Sequence, residues 1–444
     1  MTQITMELLP HQREALEFIE KANGRALNAS DPGLGKTAVS IAYLEKHSMY
    51  PALVVSPASV TGAWQNEFTA WTGRESVILS GRTPRADPVD APLTILNYNI
   101  LSHQLPWLLE QDYKVIIFDE AHSLQSMETK WTQAAITLAK RCARIQGLSG
   151  TPVANRAKDF FPILHIIRPD MFPSFHRYAW TYCNPRFLDT QGRWDYTGAS
   201  NLDQLHELIK PFTIRRKKEI LNLPKQSIRM EIVSLDNEEV YRPLHKQYAT
   251  CGFTTNKGSE KLTLMTKLLM TTARGKAKAC VDWLCKALAD NPKDKLIVFC
   301  THTGMLDVIY RRVAPGQALK INGSVTSKKR TKVIAQFQSD ENIRLIVCNI
   351  KAAGAGITLT AATKTIFVEL PYAPRDILQA KDRNHRIGQT MTTEVIYLVA
   401  KDTIEERLCR ILQEKSEHSD TIIDGGKQHN MNMLDMLSAS MAEA

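Results

Sequence analysis

Two series of short, Val- and Ile-rich runs constrain this chain more than any other feature, because each run is followed by a turn and then by a stretch of helical period. The first series is Ala52 to Ser56, Leu93 to Leu96 and Val115 to Phe118; the second is Leu296 to Cys300, Leu345 to Cys348 and Thr365 to Leu370. Continuous apolar runs bounded by turns are strands buried on both faces, and strands that alternate with helices form parallel sheets. The predicted fold class is therefore α/β: two lobes, each a parallel sheet flanked by helices, with a helical insertion. Between the series, from about Phe160 to Asn291, helical period and aromatic residues prevail and buried-strand signals are sparse. The N-terminal lobe is placed at 1–222, with a helical extension from about 160, and the C-terminal lobe at 223–424, with Leu223 to Asp236 as the crossing. The tail at 425–444 carries Met431, Met433 and Met436 among polar residues, and the sequence leaves open whether it docks as a short helix or is flexible.

The chemistry begins at Ala29-Ser30-Asp31-Pro32-Gly33-Leu34-Gly35-Lys36-Thr37, just before a helix-like stretch through Lys46. In a phosphate loop, glycines let backbone N–H groups turn onto phosphate oxygens, a lysine reaches the terminal phosphates, and a hydroxyl binds magnesium. Lys36 and Thr37 fit those roles, although Ser30 stands where the general pattern has its first glycine. The apolar run at Val115 then leads straight into Asp119-Glu120-Ala121-His122. A carboxylate at the end of a buried strand is where a nucleotide hydrolase holds its metal, and a neighbouring glutamate can polarise water. Asp119 is thus expected to hold the metal and Glu120 to act as base; the alternative is a pair of acids capping the next helix. Leu148-Ser149-Gly150-Thr151-Pro152 follows as a rigid turn whose hydroxyls can bond His122 or face the phosphates.

In the second half, the stretch from Gln379 to Gln389 places Arg383 and Arg386 three apart, which on a helix is one face. Planar, permanently charged donors suit a phosphate whose charge rises in the transition state. The run Arg215-Arg216-Lys217-Lys218 reads equally as an import signal, a phosphate clamp or a solvated turn. A formal charge of +10 favours a polyanionic partner. The eight cysteines form no CxxC pair, which argues against a zinc ribbon or disulfide framework and for a reducing intracellular compartment. No stretch approaches the roughly 20 apolar residues needed to cross a bilayer.

Taken in this order, the motifs resemble those of superfamily 2 helicases, and specifically the Swi/Snf group of DNA-translocating ATPases, over about Leu8 to Arg407. That group's phosphate loop has the form of Asp31 to Thr37, so Ser30 is unremarkable within it. Leu9-Pro10-His11-Gln12 resembles its adenine-recognising segment, Ile214 to Lys218 with Leu223-Pro224 the joint between its lobes, and Ala352 to Ile357 a loop that approaches DNA and nucleotide. Val55-Ser56-Pro57 with Trp64 and Glu67 also falls in place, with Trp64 read as a core aromatic. Trp194 to Leu202 looks most like the annealing-helicase branch.

The resemblance implies two RecA-like lobes and a DNA-dependent ATPase, acting on the acid anhydride of ATP, that translocates on double-stranded DNA, with fork remodelling or strand annealing as its finer task. Its implied catalytic residues are Lys36, Asp119, Glu120, Arg383 and Arg386. The implied nucleotide contacts are Gln12, Gly33, Leu34, Gly35, Lys36, Thr37, Gly356 and Gln379, with Mg2+ on Thr37 and Asp119. Its implied partner is double-stranded DNA, with forked or single-stranded DNA as alternatives; it is expected to be a monomer without membrane contact. The expected location is the cytoplasm of a bacterium or of a virus's host cell, and the nucleus if the source is eukaryotic. A strand-separating DNA or RNA helicase and a non-enzymatic nucleic-acid scaffold remain the rival readings.

Overall fold

A computed structural model of the chain describes residues 7–85, 87, 89–188, 194–251, 258–352, 357–426 and 432–443. It divides into two compact units. The first is Met1–Arg186, Asp195–Ile220 and His418–Gln428; the second is Phe187–Trp194, Leu221–Glu417 and His429–Ala444.

The first unit is built on strands β1 (Ala26–Asn28), β2 (Ala52–Ser56), β3 (Ser76–Ile78), β4 (Leu93–Asn97), β5 (Val115–Asp119) and β6 (Ile145–Leu148). Arg186–Phe187 (β7) and Trp194–Asp195 (β8) make a small separate sheet, and Thr213–Ile214 is β9. The main sheet runs β3-β4-β2-β5-β6-β1-β9, parallel throughout. Successive side chains of a strand point to opposite faces. Leu53, Val55, Ile116 and Phe118 accordingly enter one buried cluster. Ala52, Val54, Val115 and Ile117 enter another. Apolar matter covers both faces, which is why these strands read as unbroken hydrophobic runs.

The second unit repeats the plan with β10 (Gln226–Val233), β11 (Leu296–Cys300), β12 (Ala318–Ile321), β13 (Leu345–Asn349), β14 (Lys364–Phe367) and β15 (Thr393–Ala400). The order is β10-β15-β14-β11-β13-β12, again all parallel. Ile297, Phe299, Ile346 and Tyr397 pack on one face. Leu296, Val298, Val347 and Ile396 pack on the other. The stretch read as a plain crossing, Leu223 to Asp236, contains the edge strand β10, paired from Gln226↔Thr393 to Val233↔Ala400. Its Ser227, Ile228 and Arg229 are exposed, so an edge position replaces the continuous apolar run by which a buried strand is recognised. After it come helices Glu238–Thr250, Gly258–Gly275 and Ala277–Asp290. Among the described residues no helix is long and apolar enough to cross a membrane.

Candidate active site

β1 feeds a loop that ends in helix Lys36–Lys46, so the first turn of that helix faces the loop's backbone. Gly33 and Gly35 have φ of +87° and +75°, a region that disfavours any side chain. Gly35 is doubly constrained, since a Cβ there would lie 2.1 Å from Gln12 Nε2. Gln12 holds the loop from outside: its Oε1 accepts the Leu9 N–H at 2.9 Å and its Nε2 donates to Leu34 O at 3.3 Å. Lys36 Nζ donates to Ser30 O (2.7 Å) and Asp31 O (3.2 Å), closing the loop on its own lysine. Burial lowers the Lys36 pKa, and the charges of Glu120, Asp119 and Asp31 pull it back up.

Asp119 ends β5, and its carboxylate is held on both oxygens. Oδ1 accepts the Glu120 N–H at 2.9 Å and Oδ2 accepts the Trp64 indole N–H at 2.8 Å. Trp64 is 2% exposed, so it is a core aromatic as expected, yet its polar edge also fixes this carboxylate. Tyr98 Oη donates to Asp119 O at 2.7 Å, pinning the strand end. Burial, and then the charge of Glu120, raise the Asp119 pKa to about 6. Burial and the charge of Asp119 likewise raise that of Glu67. Glu120 has φ +47° and ψ +52°, left-handed for a residue with a full side chain, a local strain that persists only where surroundings impose it. His122 Nδ1 lies 3.0 Å from Ser149 Oγ and 3.3 Å from Glu120 Oε2, which is the bond to the Ser-Gly-Thr turn that the sequence suggested. That turn also touches the phosphate loop: a Cβ on Gly150 would meet Pro32 Cδ at 2.8 Å.

Thr37 and Asp119 present hydroxyl and carboxylate oxygens, the ligands a hard cation such as Mg2+ takes. A carboxylate whose pKa is driven up by burial and a neighbouring acid is short of positive charge, and a divalent cation meets that need. The residues present therefore fit the ion.

In the second unit, helix Pro374–Lys381 carries Gln379 and stops before the arginines. Arg383 and Arg386 lie in the following turns, which corrects the expectation that they share a helix face. The cause is tertiary hydrogen bonding: Gln389 Nε2 donates to Thr360 O (3.1 Å) and Asn384 O (3.1 Å), and Asn384 Nδ2 to Ala362 O (3.3 Å), which ties the segment to a neighbouring loop. The two guanidiniums still converge, each donating from NH1 to Ile357 O at 3.4 Å. Burial lowers the Arg386 pKa, against the pull of Asp382. Gly356 lies outside the described residues.

Residues 11–284 match the SNF2-related domain, and residues 279–388 match the helicase conserved C-terminal domain. The chain belongs to the SNF2-related family. It is 32% identical over 95% of its length to the human "DNA annealing helicase and endonuclease ZRANB3", of which the match covers 41%. It is 33% identical over 92% of its length to "SWI/SNF-related matrix-associated actin-dependent regulator of chromatin subfamily A-like protein 1" of Xenopus laevis, covering 43% of that protein. The chain thus spans about two fifths of the length of these relatives. Among solved structures it is similar to the "Sulfolobus solfataricus SWI2/SNF2 ATPase core in complex with dsDNA", at 23% identity and a TM-score of 0.46, covering 96% of this chain and 94% of that one.

In this SNF2-related chain, the contacts that two residues make close to the site are not legible in the sequence. Trp64 gave no sign of its bond to Asp119, because an indole in a core looks the same with or without a polar partner. Arg215 was read as one of a basic run, whereas it pairs with Asp31 Oδ1 at 2.7 Å and donates to Ala29 O at 2.7 Å. The only sequence signal was its place one residue beyond Ile214, the last residue of β9.

Proposed function

We propose that this SNF2-related chain hydrolyses ATP and uses the cycle to move along double-stranded DNA. The observation that carries the reading is Asp119: a strand-end carboxylate with its pKa raised to about 6, fixed by Trp64, beside a strained Glu120 and a lysine closed inside a phosphate loop. Gln12, Gly33, Leu34, Gly35, Lys36 and Thr37 bind the nucleotide, with Gly356 and Gln379 as further contacts. Thr37 and Asp119 would hold Mg2+, which would supply charge neutralisation at the phosphate oxygens. Glu120 orients the attacking water, and Arg383 and Arg386 donate to the phosphoryl group as its charge rises. Lys36 exchanges its loop carbonyls for phosphate oxygens, so its ammonium group keeps a partner in both states.

The DNA part of the proposal is supported by the +10 charge and by the names of the curated relatives, one of which is an annealing helicase. We assign fork remodelling or strand annealing as the finer task, with 1–222 as the ATP-binding lobe and 223–424 as the helicase-type lobe, except that His418 onward, the end of its last helix, groups with the first unit. Contacts to the phosphate backbone give little sequence preference. The test is steady-state ATPase with duplex DNA, single-stranded DNA and RNA, beside displacement of a strand from a tailed duplex. Strong stimulation by duplex DNA with poor displacement is expected. Efficient displacement of long strands favours a strand-separating helicase, and absence of hydrolysis with every nucleic acid favours a scaffold.

A further inference from the structure

Helix Ile404–Asp424 ends on an acid, the wrong charge for the negative end of a helix dipole. The Asp424 side chain is also buried, only 5% exposed. A residue that breaks both rules is held there by something. The helix end is fixed in the first unit by a glycine turn, with Gly425 and Gly426 at φ +70° and +67°. His206 Nδ1 lies 2.8 Å from Ile422 O, and a Cβ on Gly425 would meet His206 Nε2 at 2.9 Å. Docked this way, Asp424 Oδ1 accepts the Arg215 Nε–H at 3.1 Å, and Lys217 Nζ stands 3.9 Å from its Oδ2.

The other end of the Arg215 guanidinium faces the phosphate loop. NH1 lies 2.7 Å from Asp31 Oδ1, 2.7 Å from Ala29 O and 3.4 Å from Gly150 O, so it touches the loop and the Ser-Gly-Thr turn together. Asp31 is held on its second oxygen by the Lys218 N–H at 2.9 Å, and its own N–H donates to Arg216 O at 2.9 Å. The carbonyl of Asp31 is one of the two that receive Lys36 Nζ. An unbroken line of bonds thus runs from Asp424 through Arg215 and Asp31 to Lys36.

We infer that Asp424 is a positioning residue for the nucleotide site: it orients the Arg215 guanidinium so that Arg215 sets the backbone of the phosphate loop around Lys36. The inference rests on the reading of this loop as the ATP site. Asp424 touches no substrate; its effect passes through a charge it holds in place. Asp424→Asn keeps the size of the side chain and one hydrogen bond acceptor but removes the charge.

The experiment measures binding of a fluorescent ATP analogue and steady-state ATPase, with thermal unfolding alongside, on the full chain. Asp424→Asn is expected to raise the nucleotide Kd and the KM for ATP about tenfold, the order expected when a charge-assisted bond becomes a neutral one, with kcat within about twofold. Asp424→Glu, which keeps the charge, is expected to recover most of that loss. His206→Ala loosens the helix end that carries Asp424 while keeping its charge, and is expected to raise the KM by clearly less than Asp424→Asn does. Because Asp424 acts through Asp31, the Kd effects of Asp424→Asn and Asp31→Asn should be strongly non-additive in a double-mutant cycle. An unchanged Kd in Asp424→Asn, an equal loss in His206→Ala, or additive effects in the cycle each overturn the inference, and the cycle decides the matter even if Asp424→Asn is less stable. A wild-type chain that binds no nucleotide overturns the ATPase reading and this inference together, whereas normal wild-type binding with an unaffected Asp424→Asn overturns this inference alone.

Discussion

In the first unit Lys36 sits in a loop held on several sides, by Gln12 through Leu34, by Arg215 through Asp31, and by Gly150 packed against Pro32. In the second, Arg386 donates to one carbonyl, Ile357 O, at 3.4 Å, the long end of hydrogen-bond range. The lysine is pre-placed and the arginine is lightly held. A group already in place contributes to ground-state binding, whereas a group whose present bond is weak exchanges it readily when a developing charge gives it a better partner.

The sharpest way to break that contrast is to remove each cation. Arg386→Ala is expected to lower the DNA-stimulated rate by about 10³ to 10⁵, the range for a finger arginine in nucleotide hydrolases, with ATP and DNA affinity within several fold of normal. Lys36→Ala is expected to show its loss in ATP binding as well. Steady-state ATPase at saturating DNA beside fluorescent-nucleotide binding separates the two. Near-normal turnover in Arg386→Ala removes the arginine from the mechanism.

A smaller effect tests what holds Asp119. Trp64→Phe keeps the ring in the core but deletes the N–H that Asp119 Oδ2 accepts at 2.8 Å. Partners that orient a metal ligand are worth about 10- to 100-fold in metal affinity or activity. The variant is therefore expected to need about tenfold more Mg2+ for half-maximal ATPase while unfolding within a few degrees of the parent. An unchanged Mg2+ dependence makes the indole contact incidental.

The same contrast decides how much was legible in the sequence. β2, β4, β5, β11 and β13 were visible because both faces of each are covered, so apart from Thr94 and the polar residues that end four of them they are runs of apolar residues. β10 escaped because an edge strand with exposed Ser227 to Arg229 follows neither template. At the site, the phosphate loop and the Asp119-Glu120 pair were readable because backbone conformation and strand position fix their residue types locally. The Arg383–Arg386 segment was assigned to a helix on spacing alone, and Asn384 and Gln389, bonded to carbonyls some 20 to 30 positions back in the chain, turned it into a loop. The Trp64, Arg215 and Asp424 contacts join residues distant in sequence, and nothing local encodes them.

The smallest expected effect concerns a histidine beside a glutamate in each unit, His122 with Glu120 and His302 with Glu369. His302 follows β11, and Glu369 follows β14, its neighbour in the sheet. Glu369 Oε2 accepts the N–H groups of Thr301 and His302, each at 3.0 Å, while Oε1 pairs with the His302 ring. That hydrogen bond raises the His302 pKa, against partial burial. A histidine whose folded pKa is raised contributes stability that is fully present below its unfolded value of about 6.5 and is lost as pH rises through the folded value. His302→Asn leaves both backbone bonds to Glu369 in place and deletes only the titrating ring. The variant is therefore expected to melt below the parent near pH 6, by about 2 °C or less given the partial exposure, and the gap should close towards pH 9. Glu369→Gln should flatten the pH dependence of the parent in the same range. A melting difference between His302→Asn and the parent that stays constant from pH 6 to 9 means that the ring packs there without holding a proton, and that the pair in the second unit is a polar contact with no charge to titrate.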